Sequence, residues 1–202
     1  CTRIVTMSEK QVVVITGCSS GIGRATAIEA AQRGHRVFAS ARRREDIADL
    51  TAKGIETLAL DVTDSASIDR AVAEALSAAG RIDALVNNAG YGQYGAIEDV
   101  SPEEWRAQFD VNVFGALAVL RAVLPRMRAA RRGTVVNVSS LAGKVTIPFA
   151  GPYCASKHAL EAISDALRVE LAPWGIRVVG VEPGPIGTHF GDRSRQATAR
   201  IL

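Results

Sequence analysis

The sequence predicts an α/β protein: one doubly wound parallel sheet with helices on both faces. Short apolar β-branched runs alternate with helically periodic segments along the chain, the pattern that builds such a sheet. The runs are apolar without alternation, Val12-Val13-Val14-Ile15 being the clearest, as strands covered on both faces require. Each unusual motif follows a strand directly, so all of them gather along one edge, where sheets of this kind bind ligands.

Gln11–Thr16 is the first strand. It leads into Thr16-Gly17-Cys18-Ser19-Ser20-Gly21-Ile22-Gly23-Arg24 and an alanine-rich helix over Ala25–Arg33 that stops at Gly34. Strand, glycine turn and helix start make the setting of a phosphate-binding loop: glycines allow a tight bend and a close approach, and helix N-terminal amides favour an anion. The spacing is G-x-x-x-G-x-G rather than the commoner G-x-G-x-x-G, and a purely structural turn stays open. His35–Ala41 is the second strand. Past such a strand an acidic residue would bind the ribose of NAD and an arginine the 2′-phosphate of NADP. Arg42 and Arg43 follow here, while Glu45 and Asp46 suit the first turn of the next helix. The charge points to NADP(H).

Ile55–Leu60 forms the third strand, closing in Asp61-Val62-Thr63-Asp64, and a helix over Ser65–Ala79 ends at Gly80. Ile82–Asn87 is the fourth strand and runs into Asn87-Asn88-Ala89-Gly90. Ser101-Pro102-Glu103-Glu104 reads as a capping box with proline at the first helical position. The long segment that follows, Trp105–Arg132, carries Asn112 and Gly115, with a kink or break expected at Pro125. Asn112, among Val111, Val113 and Phe114, is either a helix-bending structural amide or part of a site. Thr134–Ser140 is the fifth strand and leaves two hydroxyls at its end. A helix over Tyr153–Leu171 meets its stop signals at Pro173 and Gly175, and the sixth strand, Ile176–Val181, exits through Glu182-Pro183-Gly184-Pro185-Ile186-Gly187-Thr188.

Composition sets the outer bounds. The 202 residues suit one domain over 11–202 preceded by an N-terminal extension over 1–10, with Met7 a candidate natural start. The chain is 48% hydrophobic and 22% charged, with a mean hydropathy of +0.11. No run approaches the ~18 apolar residues of a membrane span, and Cys1–Lys10 lacks the apolar core of a signal peptide. Cys1, Cys18 and Cys154 are odd in number and far apart, without metal-ligand spacing, so a reduced, cytoplasmic protein is expected. The net charge of +3 and pI of about 9.0 invite a nucleic-acid reading, but acids interleave the arginines and the longest basic run is Arg42-Arg43-Arg44.

Tyr153-Cys154-Ala155-Ser156-Lys157 places a phenol and an ammonium one helical turn apart on one face. A free tyrosine, with a pKa near ~10, exchanges protons poorly at neutral pH, and a fixed cation beside it favours phenolate. The pair by itself is as consistent with a solvated helix surface; the company of the other motifs decides against that.

Thr16-Gly17…Gly21-Ile22-Gly23, Asn87-Asn88-Ala89-Gly90, Asn112, Ser140, Tyr153…Lys157 and Pro183-Gly184…Thr188 together resemble the short-chain dehydrogenase/reductase family, from about Val12 to Thr188. The resemblance implies a single Rossmann-type domain and a set of roles. Tyr153 would exchange the proton with the substrate oxygen, and Lys157 would lower the tyrosine's pKa and hold the nicotinamide ribose. Ser140 would hydrogen-bond the substrate oxygen, chosen over Ser139 by its spacing to Tyr153, and Asn112 would tie Lys157 through water to a proton relay. Gly17, Ser19, Ser20, Gly21, Ile22 and Gly23 would cradle the phosphates and Arg42 the 2′-phosphate. Asp61 and Val62 would line the adenine, Asn88, Ala89 and Gly90 the middle of the cofactor, and Pro183, Gly184, Ile186 and Thr188 the carboxamide end.

Members of that family continue through a substrate-covering loop, a helix and a seventh strand, whereas this chain stops at Leu202; the loop and last strand are expected to lie outside it. Tyr91-Gly92-Gln93-Tyr94-Gly95, with Arg42, is similar to the branch acting on hydroxysteroids and retinol. The expectation is an NADP(H)-dependent oxidoreductase acting on a secondary alcohol/ketone or aldehyde, assembled as a homodimer or homotetramer. No metal, nucleic acid or membrane span is expected. The alternative, a dinucleotide-sensing or scaffold protein of the same fold, would be expected to lose the tyrosine or the lysine, and both stand here.

Overall fold

In the computed structural model, which describes residues 10–187, six strands form one sheet. They are β1 (Val12–Ile15), β2 (Arg36–Ala41), β3 (Glu56–Ala59), β4 (Ala84–Asn87), β5 (Gly133–Val138) and β6 (Ile176–Val181), in the order β3-β2-β1-β4-β5-β6. Every pairing is parallel. Among the described residues the α-helices are α1 (Gly21–Gln32), α2 (Ser65–Ala79), α3 (Pro102–Phe109), α4 (Ala116–Ala130) and α5 (Gly151–Leu171). The chain starts at the centre of the sheet, winds outward through β2 and β3, then crosses to the other side of β1. In sheets of this kind such a reversal forms the ligand crevice, here at the C-terminal ends of β1 and β4. Most of 1–10, and Thr188 with everything after it, lie outside the described residues.

The unbroken apolar runs are explained by two cores. Along β1, Val12 and Val14 point into one, and Val13 and Ile15 into the other. The first core takes Ile68 and Val72 of α2, Val119, Val123 and Met127 of α4, and Leu171 of α5. The second takes Ala27 of α1 with Ile47 and Leu50 of the 3₁₀ segment Arg44–Lys53. Burying each such aliphatic side chain stabilises the fold by about 1.5–3 kcal/mol. Helix starts follow their local signals. The Asp64 side chain accepts from the Ala66 N–H ahead of α2. At α3, Ser101 and Glu104 exchange side-chain-to-backbone bonds of 3.2 and 2.9 Å.

Two expectations are corrected. Helix α1 begins at Gly21, four residues earlier than Ala25, so two loop glycines lie in its first turn. Pro125 does not break α4, which runs on to Ala130. A helix-interior proline costs about 3 kcal/mol, and burial of Val119, Leu120, Val123, Leu124 and Met127 outweighs it. The irregularity instead sits at Asp110–Gly115, a π-helical turn around Asn112. Finally, Pro102–Ala130 is 29 residues of continuous helix, long and apolar enough to cross a membrane. Its apolar face is the one packed on the sheet, so core packing accounts for that composition.

Candidate active site

Ser139 and Ser140 lie just past β5, before a 3₁₀ turn at Leu141–Gly143 and the loop into α5. Tyr153 stands in the first turn of α5, and its phenol is hydrogen-bonded with the Ser140 hydroxyl. Lys157, one turn further on, donates from Nζ to the Val138 carbonyl at 2.8 Å. Its ammonium lies 5.8 Å from the centre of the Tyr153 ring. Helical spacing thus delivers phenol and ammonium to one face, and the strand end delivers the hydroxyl. Both Tyr153 (8% exposed) and Lys157 (6%) are buried. Tyr94, from the loop after β4, stacks on Tyr153 with ring centres 6.1 Å apart and planes at 21°. That loop is fixed to the one before α5 by a Gly95 N–H···O=C Phe149 bond of 2.8 Å.

Burial dominates the proton affinities. It pushes the Tyr153 phenol above its ordinary value of 10.0, with the Ser140 hydrogen bond opposing only in part. This reverses the expected lowering by Lys157, whose ammonium is held on the backbone of β5 while the ring loses its hydration. Burial likewise pulls Lys157 down from 10.5 to about 8, against the carboxylate of Glu161, which raises it. At Asp61 burial acts upward but is outweighed by the Thr63 N–H and hydroxyl and the charge of Arg42, and the carboxyl sits below its ordinary range.

Asn112 is 1% exposed and all of its amide groups are engaged. Its Oδ1 accepts from the Tyr91 N–H at 3.1 Å, and its Nδ2 donates to the Tyr91 carbonyl at 3.0 Å and to Ser156 Oγ at 3.1 Å. The side chain therefore clamps the loop after β4 onto α5, next to Lys157. One turn earlier Gln108 repeats the device, accepting from Gln93 N–H (2.6 Å) and donating to the Tyr91 carbonyl (2.9 Å). Sequence reading passed over Gln108, although its i, i+4 spacing to Asn112 was visible.

The glycine loop sits at the crevice beside the β4 loop. Gly17 (φ +73°) and Gly21 (φ +61°) adopt left-handed backbone conformations. A Cβ on Gly17 would come within 2.8 Å of Ala89 Cα, and one on Gly23 within 2.3 Å of Asn88 Nδ2. Two of the glycines are thus required by the contact between loops. Thr16 is the pin of that contact: its Oγ1 accepts from the N–H of both Asn88 and Ala89 at 3.0 Å. Asn88 in turn donates to the Thr16 and Gly17 carbonyls. Ser20 stands at the N-cap of α1 without a side-chain capping bond, and no acidic residue occupies the first turn. The N–H groups there have no capping side chain, the condition under which a helix start can receive an anion. Ser19 and Ile22 flank this turn half-buried.

Among the three consecutive arginines, Arg43 pairs with Asp46 and Arg44 with Glu74. Arg42, exposed after β2, makes no ion pair among the described residues and acts on Asp61 through its charge. Val62 packs against Gly115, where a Cβ would approach to 2.7 Å, and Gly90 lies beside Asn112 Oδ1. The Pro183 carbonyl accepts from Leu141 N–H at 3.0 Å, bringing the β6 exit next to the Ser140 loop. Gly184 and Ile186 are exposed there, and Thr188 lies outside the described residues. Unforeseen as well were Tyr94, Glu161 and a buried amide relay from Asn87 to Asn137 (3.0 Å) and on to Ser164 (2.9 Å). Among the described residues no three His, Cys, Asp or Glu side chains stand together as metal ligands. The thiols of Cys18 and Cys154 are free and buried, and burial pushes Cys18 up to about 12, which leaves it inert.

With this geometry in place, comparison with known proteins is direct. The sequence profile of the short chain dehydrogenase family matches residues 11–199. A 3-ketodihydrosphingosine reductase of Bacteroides thetaiotaomicron is 43% identical over 184 residues, covering 91% of this chain and 67% of the relative. An NADPH-dependent 3-dehydrocapnine reductase of Ornithobacterium rhinotracheale is 42% identical over 191 residues, covering 90% and 68%. Among solved structures, a short-chain dehydrogenase from Streptomyces avermitilis superposes with a TM-score of 0.85 at 44% identity, covering 89% of this chain and 67% of that one. A gluconate 5-dehydrogenase from Burkholderia cenocepacia, in complex with NADP and tartrate, gives 0.85 at 29% identity, covering 91% and 74%. The chain spans about two thirds of the length of most of these relatives.

Proposed function

The chain belongs to the short-chain dehydrogenase/reductase family, and from that premise we propose that it is an NADP(H)-dependent oxidoreductase interconverting a ketone or aldehyde with its alcohol. The observation that carries the reading is the meeting of Ser140, Tyr153 and Lys157 at the C-terminal edge of the sheet. Tyr153 acts as the acid/base on the substrate oxygen. Burial keeps its phenol protonated at neutral pH, which suits donation to a carbonyl oxygen and hence the reductive direction. Ser140 donates a hydrogen bond to the same oxygen, where negative charge develops. Lys157 supplies the positive charge that makes loss of the phenolic proton affordable, and Asn112 holds the facing loop in place through Tyr91 and Ser156.

The residues present fit a dinucleotide. Gly17, Ser19, Ser20, Gly21, Ile22 and Gly23 would take the pyrophosphate at the uncapped start of α1. Arg42, the one of the three arginines without an ion pair among the described residues, would take a 2′-phosphate. Asp61 and Val62 would flank the adenine, Asn88, Ala89 and Gly90 the centre, and Pro183, Gly184, Ile186 and Thr188, with Tyr153 and Lys157, the nicotinamide end. When bound, NADP(H) would supply the hydride for the carbonyl carbon. The NADPH and NADP in two relatives' names support the choice of cofactor. Ile97, Leu141, Ile147 and Phe149, exposed on the two loops flanking Tyr153, suit a substrate with an apolar chain. The reading extends to a homo-oligomer, for which exposed Phe114 and Val169 on the α4 and α5 side give apolar contact surface; light scattering that returns a monomer at assay concentration counts against it.

The test is direct. Tyr153→Phe is expected to abolish turnover of a ketone panel while cofactor still binds; activity within about tenfold of the parent rules out the acid/base role. Arg42→Ala is expected to raise KM for NADPH far more than that for NADH, and equal changes would refute the 2′-phosphate assignment.

A further inference from the structure

Burial alone strips charge from a lysine, yet the reading above needs Lys157 as an ammonium. The acid that opposes this loss stands one turn along the same helix. Glu161 is 7% exposed and shares the buried face of α5 with Tyr153 and Lys157. Its Oε2 accepts from Lys144 Nζ at 3.1 Å, and Lys144 also reaches Glu182 at 3.4 Å. Its Oε1 is buried without a hydrogen-bond partner among the described residues. The carboxylate lies over β6 at Gly180, where a Cβ would sit 3.6 Å from Oε2, and its methylene stem lies against the turn at Gly143. A staple between α5 and the β6 exit would use only the oxygen that meets Lys144. A carboxylate kept out of water with one oxygen unspent is a source of negative potential, and inside a low-dielectric region that potential is little screened.

We propose that Glu161 is the counter-ion of Lys157, a positioning residue that keeps the ammonium charged beside Tyr153, while Lys144 limits how much of its field arrives there. The inference rests on the functional reading of Lys157 given above. Among the described residues, the titratable groups on the elements around Lys157 include Tyr153, Cys154, His158 and Glu161 on α5, Lys144 on the loop after β5, Glu182 beyond β6, and Tyr91 and Tyr94 on the loop after β4. Of these, Glu161 is the one whose charge raises the proton affinity of Lys157, opposing its burial. The geometry then fixes two opposite signs. Removing the Glu161 charge loosens the Lys157 proton. Removing the Lys144 cation, which neutralises Glu161 and repels a second ammonium, tightens it.

The chain's lysines are Lys10, Lys53, Lys144 and Lys157, few enough to follow singly by NMR of the intact protein carrying lysine labelled with ¹³C at Cε. The Lys157 resonance is expected to titrate near pH 8 in the parent protein. In Glu161→Gln the midpoint is expected to fall by about one unit, a tenfold change in proton affinity; in Lys144→Met it is expected to rise. Turnover of Glu161→Gln then falls about fivefold at pH 8 and recovers at pH 6, as the Henderson–Hasselbalch populations for a one-unit shift require. A purely structural staple predicts that both variants, which cut the same link, move the midpoint together or leave it alone; either result overturns the proposal. Should Glu161→Gln fail to fold, an unchanged or lowered midpoint in Lys144→Met overturns it alone. The midpoint is read without substrate or cofactor. If it moves as expected while Tyr153→Phe retains turnover, the oxidoreductase reading fails and the ion relationship stands.

Discussion

The two edges of the sheet handle charge in opposite ways. At the N-terminal edge Asp83 accepts from the Val12 N–H at 2.8 Å and pairs with Arg81 at 2.9 Å and Arg132 at 3.6 Å. Arg36 pairs there with Glu56 and donates to the Ala78 carbonyl. A cavity of about 170 Å³ opens on this side, lined by Gln11, Asp83 and three arginines, but its carboxylate is already answered and its cations face water. At the C-terminal edge the polar groups are inside. Lys157 and Glu161 are buried, and Ser139 Oγ and Glu161 Oε1 lack partners among the described residues. Phe149 holds a left-handed backbone (φ +61°) in the loop before α5. Left-handed backbone occurs at both edges, at Arg131 (φ +50°) as well as Phe149, so the difference lies in charge: one edge leaves its ions in water and the other buries them, as sites with shifted proton affinities do.

Substitutions at the two edges should separate cleanly. The widest gap is in turnover. Loss of a general acid/base removes roughly 10²–10⁴ in rate, so Tyr153→Phe should fall by at least that lower figure in a ketone assay. Asp83→Asn should leave kcat within about twofold and lower the unfolding free energy by about 1 kcal/mol, because its arginine partners are half-exposed. A catalytic defect in Asp83→Asn would break the contrast.

Lys157 sharpens it from the other side. A base whose pKa falls from 10.5 to about 8 on folding is protonated in both states below pH 8, and there the folded state carries the full cost of the buried ammonium. Between pH 8 and 10.5 the unfolded chain binds more protons than the folded one, so stability rises with pH through that window. The shift amounts to roughly 3 kcal/mol. Lys157→Met should therefore be inactive and more stable at pH 7, with a flatter pH profile by denaturant titration; a less stable variant would mean that the ammonium is well compensated where it sits. The smallest effect is expected away from both edges. Glu29→Ala removes an exposed i, i+4 pair with Arg33 and should change stability by less than ~0.5 kcal/mol.

The legible parts of the site were those set by local rules. Tyr153 and Lys157 share a face because they are four residues apart on a helix, and Arg42 is placed by the end of β2. Ser140 was chosen over Ser139 by the resemblance, through its spacing to Tyr153, and Ser140 is the one that meets the phenol. What stayed hidden was set by contacts between distant segments. Nothing local announces that Tyr94 stacks on Tyr153, or that Thr16 pins the β4 loop. The glycines suggested room for a phosphate, and the fold assigns two of them to contact with Asn88 and Ala89. The direction of the Tyr153 shift was misjudged for the same reason: the cation is near in sequence, but desolvation depends on what else closes over the ring.

By itself the sequence determined the strand and helix alternation, the parallel doubly wound sheet, the family it resembles and the edge on which its unusual motifs gather. The alternation, the sheet and the edge follow from periodicity, turn chemistry and chain direction, which are properties of short stretches; the family came from the resemblance of several motifs taken together. The tertiary structure alone decided which polar groups lose their water. Burial is a sum over residues far apart in the chain, and it sets the proton affinities of Tyr153, Lys157 and their neighbours.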